Sequence, residues 1–336
     1  MLNIKHNVSV LTVTYGNRWL FLEQVINRLL SFPQVSKIVI VNNASEYDVE
    51  MKVNELAHDR AVVLNNAENL GSAGGYRQAI EYAHRSTGNE FLWLLDDDNR
   101  PEENVLEKLL LQWRNIQTAD NKKALFCLRD DRAAHLKIAA GETPYRYYLV
   151  PNNFLGFSVS SIAKNQLYKL RDKFDSQLPF KERVSIPYVP YGGLFFHKSM
   201  VDLIGLPDER FFLYVDDSEY SYRITQSDGT IWLIPSCKVD DIDKSQGIGY
   251  KKQLFHSQLL DQWSFRTYYA IRNRLYFYQS VAVKNKTIFN INKGLYLFYL
   301  KIISLLSGKS AEYKKLLTAV DDGINGNLGK ATPNKF

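Results

Sequence analysis

Short apolar runs separated by longer amphipathic stretches set the rhythm of the first hundred residues. VSVLTVTY (Val8 to Tyr15), KIVIVNN (Lys37 to Asn43), AVVLNN (Ala61 to Asn66) and FLWLLDD (Phe91 to Asp97) are rich in β-branched or bulky apolar residues, which predicts strands. Between them, Arg18 to Phe32, Tyr47 to Ala57 and Gly74 to Arg85 have helical length and spacing. Strands alternating with helices build right-handed βαβ units, so an α/β fold is expected: a doubly wound, mostly parallel sheet with helices on both faces. After about residue 120 the alternation fades. GFSVSSI (Gly156 to Ile162), YVPYGGLFFHKSM (Tyr188 to Met200) and TIWLIPSCKV (Thr230 to Val239) predict further strands. FFLYVDDSEYSYRITQSDG (Phe211 to Gly229) predicts a strand end running into a short helix, and from Leu254 onward the pattern is helical, giving a C-terminal helical region.

In a parallel sheet ligands sit outside the carboxyl ends of the strands. Here those ends are polar: Thr14 and Tyr15, Asn42 and Asn43, Asn65 and Asn66, then Asp96, Asp97 and Asp98. Polar tips on one edge predict a pocket. ENLGSAGGYRQAI (Glu68 to Ile80) adds a glycine-rich turn before a helix, where backbone N–H groups and the helix dipole suit a phosphate. It is neither the GxGxxG nor the P-loop pattern, which argues against dinucleotide binding and a Walker-type ATPase. Three successive aspartates repel one another unless a cation or hydrogen bonds offset the charge. Two readings are open: a cation site, or an acidic turn capping a helix that starts near Pro101.

Hydrophobic residues make up 45% of the 336, ample for a real core. Cys127 and Cys237 are far apart with no CxxC spacing, so buried reduced thiols are expected rather than a disulfide or zinc site. The N-terminus lacks a signal peptide's apolar core, and the longest apolar candidate for a span, GLYLFYLKIISLLSG, is interrupted by Lys301. The chain is therefore expected to be cytoplasmic, without a span. Its net charge of +6 is uneven: residues 251–336 carry +10 and 14 of the 44 aromatics, leaving −4 for the rest. A cationic, aromatic segment on a mildly acidic body points to an anionic partner surface, lipid headgroups or nucleic acid; solvated basic helix faces are the plainer alternative.

VSVLTVTYGNRWLFLEQVI, IVIVNNAS, ENLGSAGGYRQAI, FLWLLDDDNRP, YGGLFF and FLYVDDSEYSYRI, in that order, resemble the inverting family 2 glycosyltransferases with the GT-A fold. YYAIRNRLYFY and DDGINGNLGK in the tail extend the resemblance to bacterial galactofuranosyltransferases and rhamnosyltransferases of surface polysaccharide synthesis. The resemblance implies a GT-A domain over residues 1–250, with a nucleotide-sugar half to about residue 120 and an acceptor half after it, followed by the aromatic, basic helical region 251–336. It also implies a divalent cation, Mn²⁺ or Mg²⁺, on the donor's diphosphate. The triple aspartate then resembles the family's DXD site: Asp96 and Asp98 flank the metal and ribose, Asp98 being first choice as a direct ligand, and Asp97 contributes to the donor site. Thr14 and Tyr15 are expected at the base and ribose, and Asn69 to Gly75, including Gly71 and Gly74, near the donor's sugar and phosphates.

Two departures matter. Where the family has an aspartate near the base this chain has Asn42, followed by Asn43. Where the family often has a metal-binding histidine it has Asp240, Asp241 and Asp243, of which Asp241 is expected to take that role. By the same resemblance Asp217 is the catalytic base, while Asp216 and Glu219 have capping-box spacing, so Asp216 is expected to hold the helix start.

The expected activity is transfer of galactofuranose from UDP-galactofuranose to a lipid-linked or cell-surface polysaccharide acceptor. A dTDP-rhamnose donor is the runner-up, and a non-catalytic sugar-nucleotide-binding scaffold is the alternative of another class. Nucleic acid is not expected as a partner, since only the basic tail favours it. Peripheral contact with the anionic inner face of the cell membrane is expected through the basic region, with Tyr268, Tyr269, Arg272, Arg274, Tyr276 and Phe277 as its aromatic and arginine face and FYLKIISLL (Phe298 to Leu306) as an apolar segment with one lysine.

Overall fold

The structure, a computed structural model, describes residues 7–174, 179–244, 250–251 and 253–336. The first six residues of the start, and residues flanking the expected junction at 250, lie outside the described set. The chain divides into two compact units: residues 1–144, 180–209 and 216–246 form the first, and 145–179, 210–215 and 247–336 the second.

The first unit is built on one mixed sheet. Its strands are β1 (Val8–Thr14), β2 (Val35–Asn43), β3 (Ala61–Asn66), β4 (Phe91–Leu94), β5 (Asn99–Pro101), β6 (Lys123–Leu128), β7 (Val184–Ile186), β8 (Leu194–His197) and β9 (Thr230–Asp241). They lie in the order β3-β2-β1-β4-β8-β6-β9-β5, with β7 also on β9. Pairing is parallel through β3-β2-β1-β4 and between β6 and β9. It is antiparallel at β4-β8, β8-β6, β9-β5 and β9-β7. The four N-terminal strands thus form the expected βαβ series, and β1 and β4 end side by side at the centre.

Helix Trp19–Leu30 turns Leu22, Val25, Ile26 and Leu29 inward, the i, i+3, i+4, i+7 stripe of an amphipathic helix. They join Val10, Ile40, Trp93, Leu106 and Phe195 in a continuous core. Helix Gly71–Ser86 lies against β1 and β2, and its glycines explain how closely. A Cβ built on Gly75 would stand 2.6 Å from Val13 Cγ1, and one on Gly74 2.8 Å from Leu70 Cβ. Gly74 and Gly75, expected at the donor, are thus used for packing. Gly75→Ala is expected to destabilise by about 1–3 kcal/mol through overpacking. Urea unfolding checks it, and an unchanged midpoint would mean the helix has room to move.

Three expected strands are corrected. Gly156 to Ile162 is no strand: a 3₁₀ turn, Val159–Ser161, leads into helix Ile162–Phe174, and Gly156 at φ +89° interrupts extended backbone. Within Tyr188 to Met200 only β8 is extended, because Gly193 turns at φ +109° before it and helix Ser199–Ile204 starts just after. Before Asp216 there is no strand end either, since Phe212, Tyr214 and Val215 adopt left-handed φ of 63°, 65° and 67°. Bulky side chains enter that region only at an energetic cost. In the second unit Asn273 Nδ2 gathers the carbonyls of Phe211, Leu213 and Tyr214 at 2.8, 2.8 and 2.9 Å, which holds the loop in that shape.

The second unit is helical in its C-terminal part: Gln258–Asp261, Phe265–Val281, Lys286–Leu306 and Ser310–Asn325. The aromatic face expected on its surface is mostly its core. Tyr268, Tyr269, Arg272 and Phe277 are buried, and Arg274 and Tyr276 partly so. The buried positions run round most of the helix Phe265–Val281, so it is covered on several sides within its unit. Arg272 satisfies its guanidinium there on the carbonyls of Gly329 and Phe211 and on Asn273 Oδ1.

Candidate active site

The acidic tip after β4 is folded around an arginine. Arg18 precedes helix Trp19–Leu30 and donates from Nε to Asp97 at 2.8 and 3.0 Å, from Nη2 to Asp98 Oδ2, and from Nη1 to Asp243 Oδ2 at 2.9 Å. Burial alone would lower its pKa, but the carboxylates of Asp97, Asp243 and Asp98 outweigh that and hold it above the usual guanidinium range. Thr14 Oγ1 donates to Asp97 Oδ2 at 2.8 Å. Burial pushes the Asp97 carboxyl up to about 6, and burial with the neighbouring Asp96 and Asp97 charges pushes Asp98 up to about 7. Asp97 and the Thr14 hydroxyl are therefore committed to each other and to Arg18, whereas Tyr15 stays 42% exposed. The tip does not cap a helix near Pro101: Asn99–Pro101 is extended, and the next helix starts at Val105.

A second arginine holds the other side. The Arg129 side chain is 3% exposed, and it grips Asp131 through Nε and Nη2 at 3.1 Å each and Asp241 Oδ2 through Nη2 at 2.6 Å. Its Nη1 donates to Asn99 Oδ1 at 3.2 Å and lies 3.9 Å from Asp96 Oδ2. Asn99 in turn donates to Asp98 Oδ1 at 2.9 Å. The register of β5 against β9 sets Asn99 opposite Asp241, which is why two segments far apart in the chain share one charge cluster. Asp240 only approaches Arg100, at 4.0 Å. Gly192 backs onto this cluster, and a Cβ there would fall 1.9 Å from Asn99 Oδ1 and 2.7 Å from Asp96 Oδ2.

Asp96 stands apart. Its side chain is 41% exposed, Oδ1 accepts from the buried Tyr76 hydroxyl at 2.9 Å, and Oδ2 accepts no hydrogen bond among the described residues. Its charge also reaches Asp217, whose carboxyl is raised to about 6, first by burial and then by Asp96. Helix Gly71–Ser86 touches both acidic motifs, since its Tyr76 hydroxyl donates to Asp96 and its Ser72 hydroxyl to Asp216.

Asp216 and Asp217 open helix Asp216–Gln226. Asp216 is buried and accepts from Ser72 Oγ at 3.0 Å, in the first turn of helix Gly71–Ser86. Beside it lies the buried Tyr191, which packs on Tyr76 with ring centroids 4.0 Å apart. Burial and the adjacent Asp217 raise the Asp216 carboxyl well above the usual range. The expected capping box is absent. Asp216 is drawn away to Ser72, and Glu219 is held by Arg223 at 2.7 and 2.8 Å. Asp217 accepts at Oδ1 from the Ser218 N–H at 2.6 Å and hydroxyl at 3.1 Å, and is only half-buried.

The amide tips bind one another and the turn at Gly71. Asn42 accepts from Ser45 N–H and donates to Asn65, both at 2.9 Å; Asn43 donates to the Gly71 carbonyl and accepts from Asn66, also at 2.9 Å. Asn69 Oδ1 accepts from Gly71 N–H at 2.8 Å, stabilising the left-handed turn at Gly71, φ +72°.

Among the described residues no three histidine, cysteine or carboxylate side chains are placed together to hold a metal ion. Asp98 and Asp241, expected as ligands, each hold an arginine instead. The donor set is nonetheless all hard oxygen, six carboxylates to two guanidiniums, and Asp96 is the most exposed of the six, its Oδ2 only 3.9 Å from Arg129 Nη1 with no hydrogen bond accepted there among the described residues. That fits a hard divalent cation held by Asp96 with phosphate oxygens and water, in the manner usual for Mg²⁺. A hollow of about 740 Å³ lined by Gln24, Arg28, Phe32, Arg100, Asn104 and Glu107 shares no residue with this cluster.

The residues that sequence reasoning did not single out are Arg18, Arg129 and Gly192, and Ser72, within the expected Asn69 to Gly75 stretch, carried no sign of its bond to Asp216. Arg18 carried one local signal: a cation at a helix N-terminus opposes the helix dipole, so it needs carboxylates nearby.

Comparison with known proteins agrees with this geometry. Residues 9–121 match the family described as Glycosyl transferase family 2. The chain is 24% identical over 329 residues to the dTDP-rhamnosyl transferase RfbF of Shigella flexneri, covering 96% of this chain and 97% of that one. It is 25% identical over 226 residues, 66% of each chain, to the galactofuranosyltransferase GlfT1 of Mycolicibacterium smegmatis. Among solved structures it is similar to GalNAc-T7 with UDP, GalNAc and Mn²⁺, at a TM-score of 0.53 and 15% identity over 81% of this chain and 48% of that one. It is also similar to the mannosyltransferase PcManGT of Pyrobaculum calidifontis in complex with GDP-Man and Mn²⁺, at 0.50 and 15% over 94% and 83%. Residues 9–121, which carry the acidic tip between β4 and β5, are thus a glycosyl transferase family 2 domain, and the chain has the GT-A fold.

Proposed function

We propose that this glycosyltransferase works with inversion, taking a sugar from a pyrimidine nucleotide donor to a lipid-linked or cell-surface glycan at the inner face of a membrane. The single observation that carries the reading is that one helix, Gly71–Ser86, holds both acidic motifs, donating from Tyr76 to Asp96 just after β4 and from Ser72 to Asp216, the neighbour of Asp217. Inversion needs a base on the side of the anomeric carbon opposite the leaving diphosphate. Asp217 suits it: half-buried, with a carboxyl near 6, it is ionised at neutral pH yet basic enough to take the acceptor's proton. Asp216, whose carboxyl burial and the adjacent Asp217 push upward, is held by Ser72. Tyr15 is available to the base, and the first turn of helix Gly71–Ser86 directs N–H groups toward a phosphate.

Asp96 is proposed to hold Mg²⁺ or Mn²⁺, ahead of Asp98 and Asp241, whose oxygens already accept from Arg18, Asn99 and Arg129. When bound, the cation neutralises charge on the diphosphate leaving group. Arg18 and Arg129 keep the remaining carboxylates from repelling that group.

The relative aligned along 96% of the chain acts with dTDP-rhamnose, which favours that donor here. UDP-galactofuranose is the second reading, supported by the relative aligned over 66%. A panel of nucleotide sugars, scored for release of dTDP or UDP with and without EDTA, is expected to show metal-dependent turnover of one of the two. No release from any donor, with glycan acceptor present, would favour a sugar-nucleotide-binding scaffold.

A further inference from the structure

Helix Lys286–Leu306 has two apolar faces, and only one has a partner. Phe289, Leu300 and Ile303 point into the core of the second unit. On the other side Ile291, Leu295, Phe298, Ile302 and Leu305 are 53, 48, 63, 42 and 66% exposed. Tyr299 and Leu306, 53 and 60% exposed, widen this stripe to roughly 120° of the helix at 3.6 residues per turn. That is broader than the two-position seam of a coiled coil.

Charge decides what covers it. The helix contains Lys286, Lys293 and Lys301 and no acidic residue, and none occurs anywhere between Asp261 and Glu312. Eight Lys and Arg residues fall in that interval. Two copies meeting through this face would find no carboxylate on this helix to pair with Lys301, the lysine that borders the stripe, whereas an anionic lipid surface complements it. Lys301, exposed beside the stripe, can lay its methylenes along the apolar side and reach a headgroup with its ammonium. The helix does not span: no helix among the described residues is long and apolar enough to cross a membrane, and this one has its second face in a protein core. We infer that helix Lys286–Leu306 lies in the plane of an anionic bilayer surface, apolar stripe down, and docks the protein there. Of the two segments that the sequence offers for docking, the structure buries most of the aromatic one and leaves the apolar FYLKIISLL segment with an exposed face.

The inference gives the proposed membrane-linked acceptor a structural basis, but its test needs neither donor nor acceptor. The full chain is floated with vesicles of phosphatidylcholine alone or with phosphatidylglycerol added. Wild type is expected to float with the anionic vesicles only, and less at high salt. Phe298→Glu with Ile302→Glu should leave the protein at the bottom of the gradient, with circular dichroism unchanged because both side chains are exposed. Lys301→Gln should weaken partition about fivefold. Wild type that fails to float with either vesicle overturns the proposal, as does a double variant that floats normally. Concentration-dependent self-association in the absence of vesicles, abolished by the same two substitutions, would give the face to a second copy and also overturn it. Release of the nucleoside diphosphate with a soluble acceptor, measured alongside, reports separately on the transferase reading.

Discussion

Asp217→Asn is expected to lower the transfer rate by about 10²–10⁴-fold while leaving donor affinity nearly unchanged, because the substitution keeps the shape and removes the base. Wild-type kcat/KM should fall as pH drops through about 6, where the Asp217 carboxyl takes up its proton, and this acid limb should be lost from the residual activity of the variant. The stability effect has the opposite sign. A carboxyl whose folded pKa is raised from 3.8 to about 6 binds protons more tightly in the folded state, so its contribution to stability declines as pH rises through that window. Asparagine carries no such charge, and the variant should unfold at or slightly above the wild-type temperature at neutral pH. Calorimetry with donor, a pH–rate profile and a melting curve separate the three effects. Near-normal transfer by Asp217→Asn, with Asp216→Asn folded but inactive, would exchange the roles of the two aspartates.

Arg18→Ala should be the most destabilising single change at the site, by about 3–5 kcal/mol, since it leaves Asp97, Asp98 and Asp243 buried without their shared cation. Lysine should not restore the loss: three different nitrogens of the guanidinium serve the three carboxylates, and one ammonium cannot reproduce that fork. The freed carboxylates are hard oxygen ligands, so Mg²⁺ should raise the melting temperature of Arg18→Ala more than that of wild type. Urea unfolding with and without Mg²⁺ is the measurement. Wild-type stability in Arg18→Ala would show that the acidic tip is held without its arginine.

The first four strands and their helices were legible in the chain because apolar periodicity is local. Val10, Ile40 and Trp93 are buried by the same short runs that announce them. The acidic tip was legible as an oddity, three like charges ending an apolar strand, and the Asp216–Asp217 pair as the start of a helix. What those carboxylates do was not. Arg18 lies 79 residues from Asp97 and 225 from Asp243, and Arg129 lies 112 from Asp241. Only the antiparallel seating of β5 on β9 brings Asp98, Asn99 and Asp241 together. The capping-box spacing at Asp216 was a true local preference overridden by Ser72, 144 residues away. In the tail, composition could not separate a core helix from a surface one, because both are rich in bulky apolar residues. Packing within the second unit sends Tyr268 inward and leaves Phe298 outside. Local pattern thus determined which segments fold and which residues carry charge, whereas the pairing of those charges and the choice of exposed face depend on distant partners, and tertiary structure decided both.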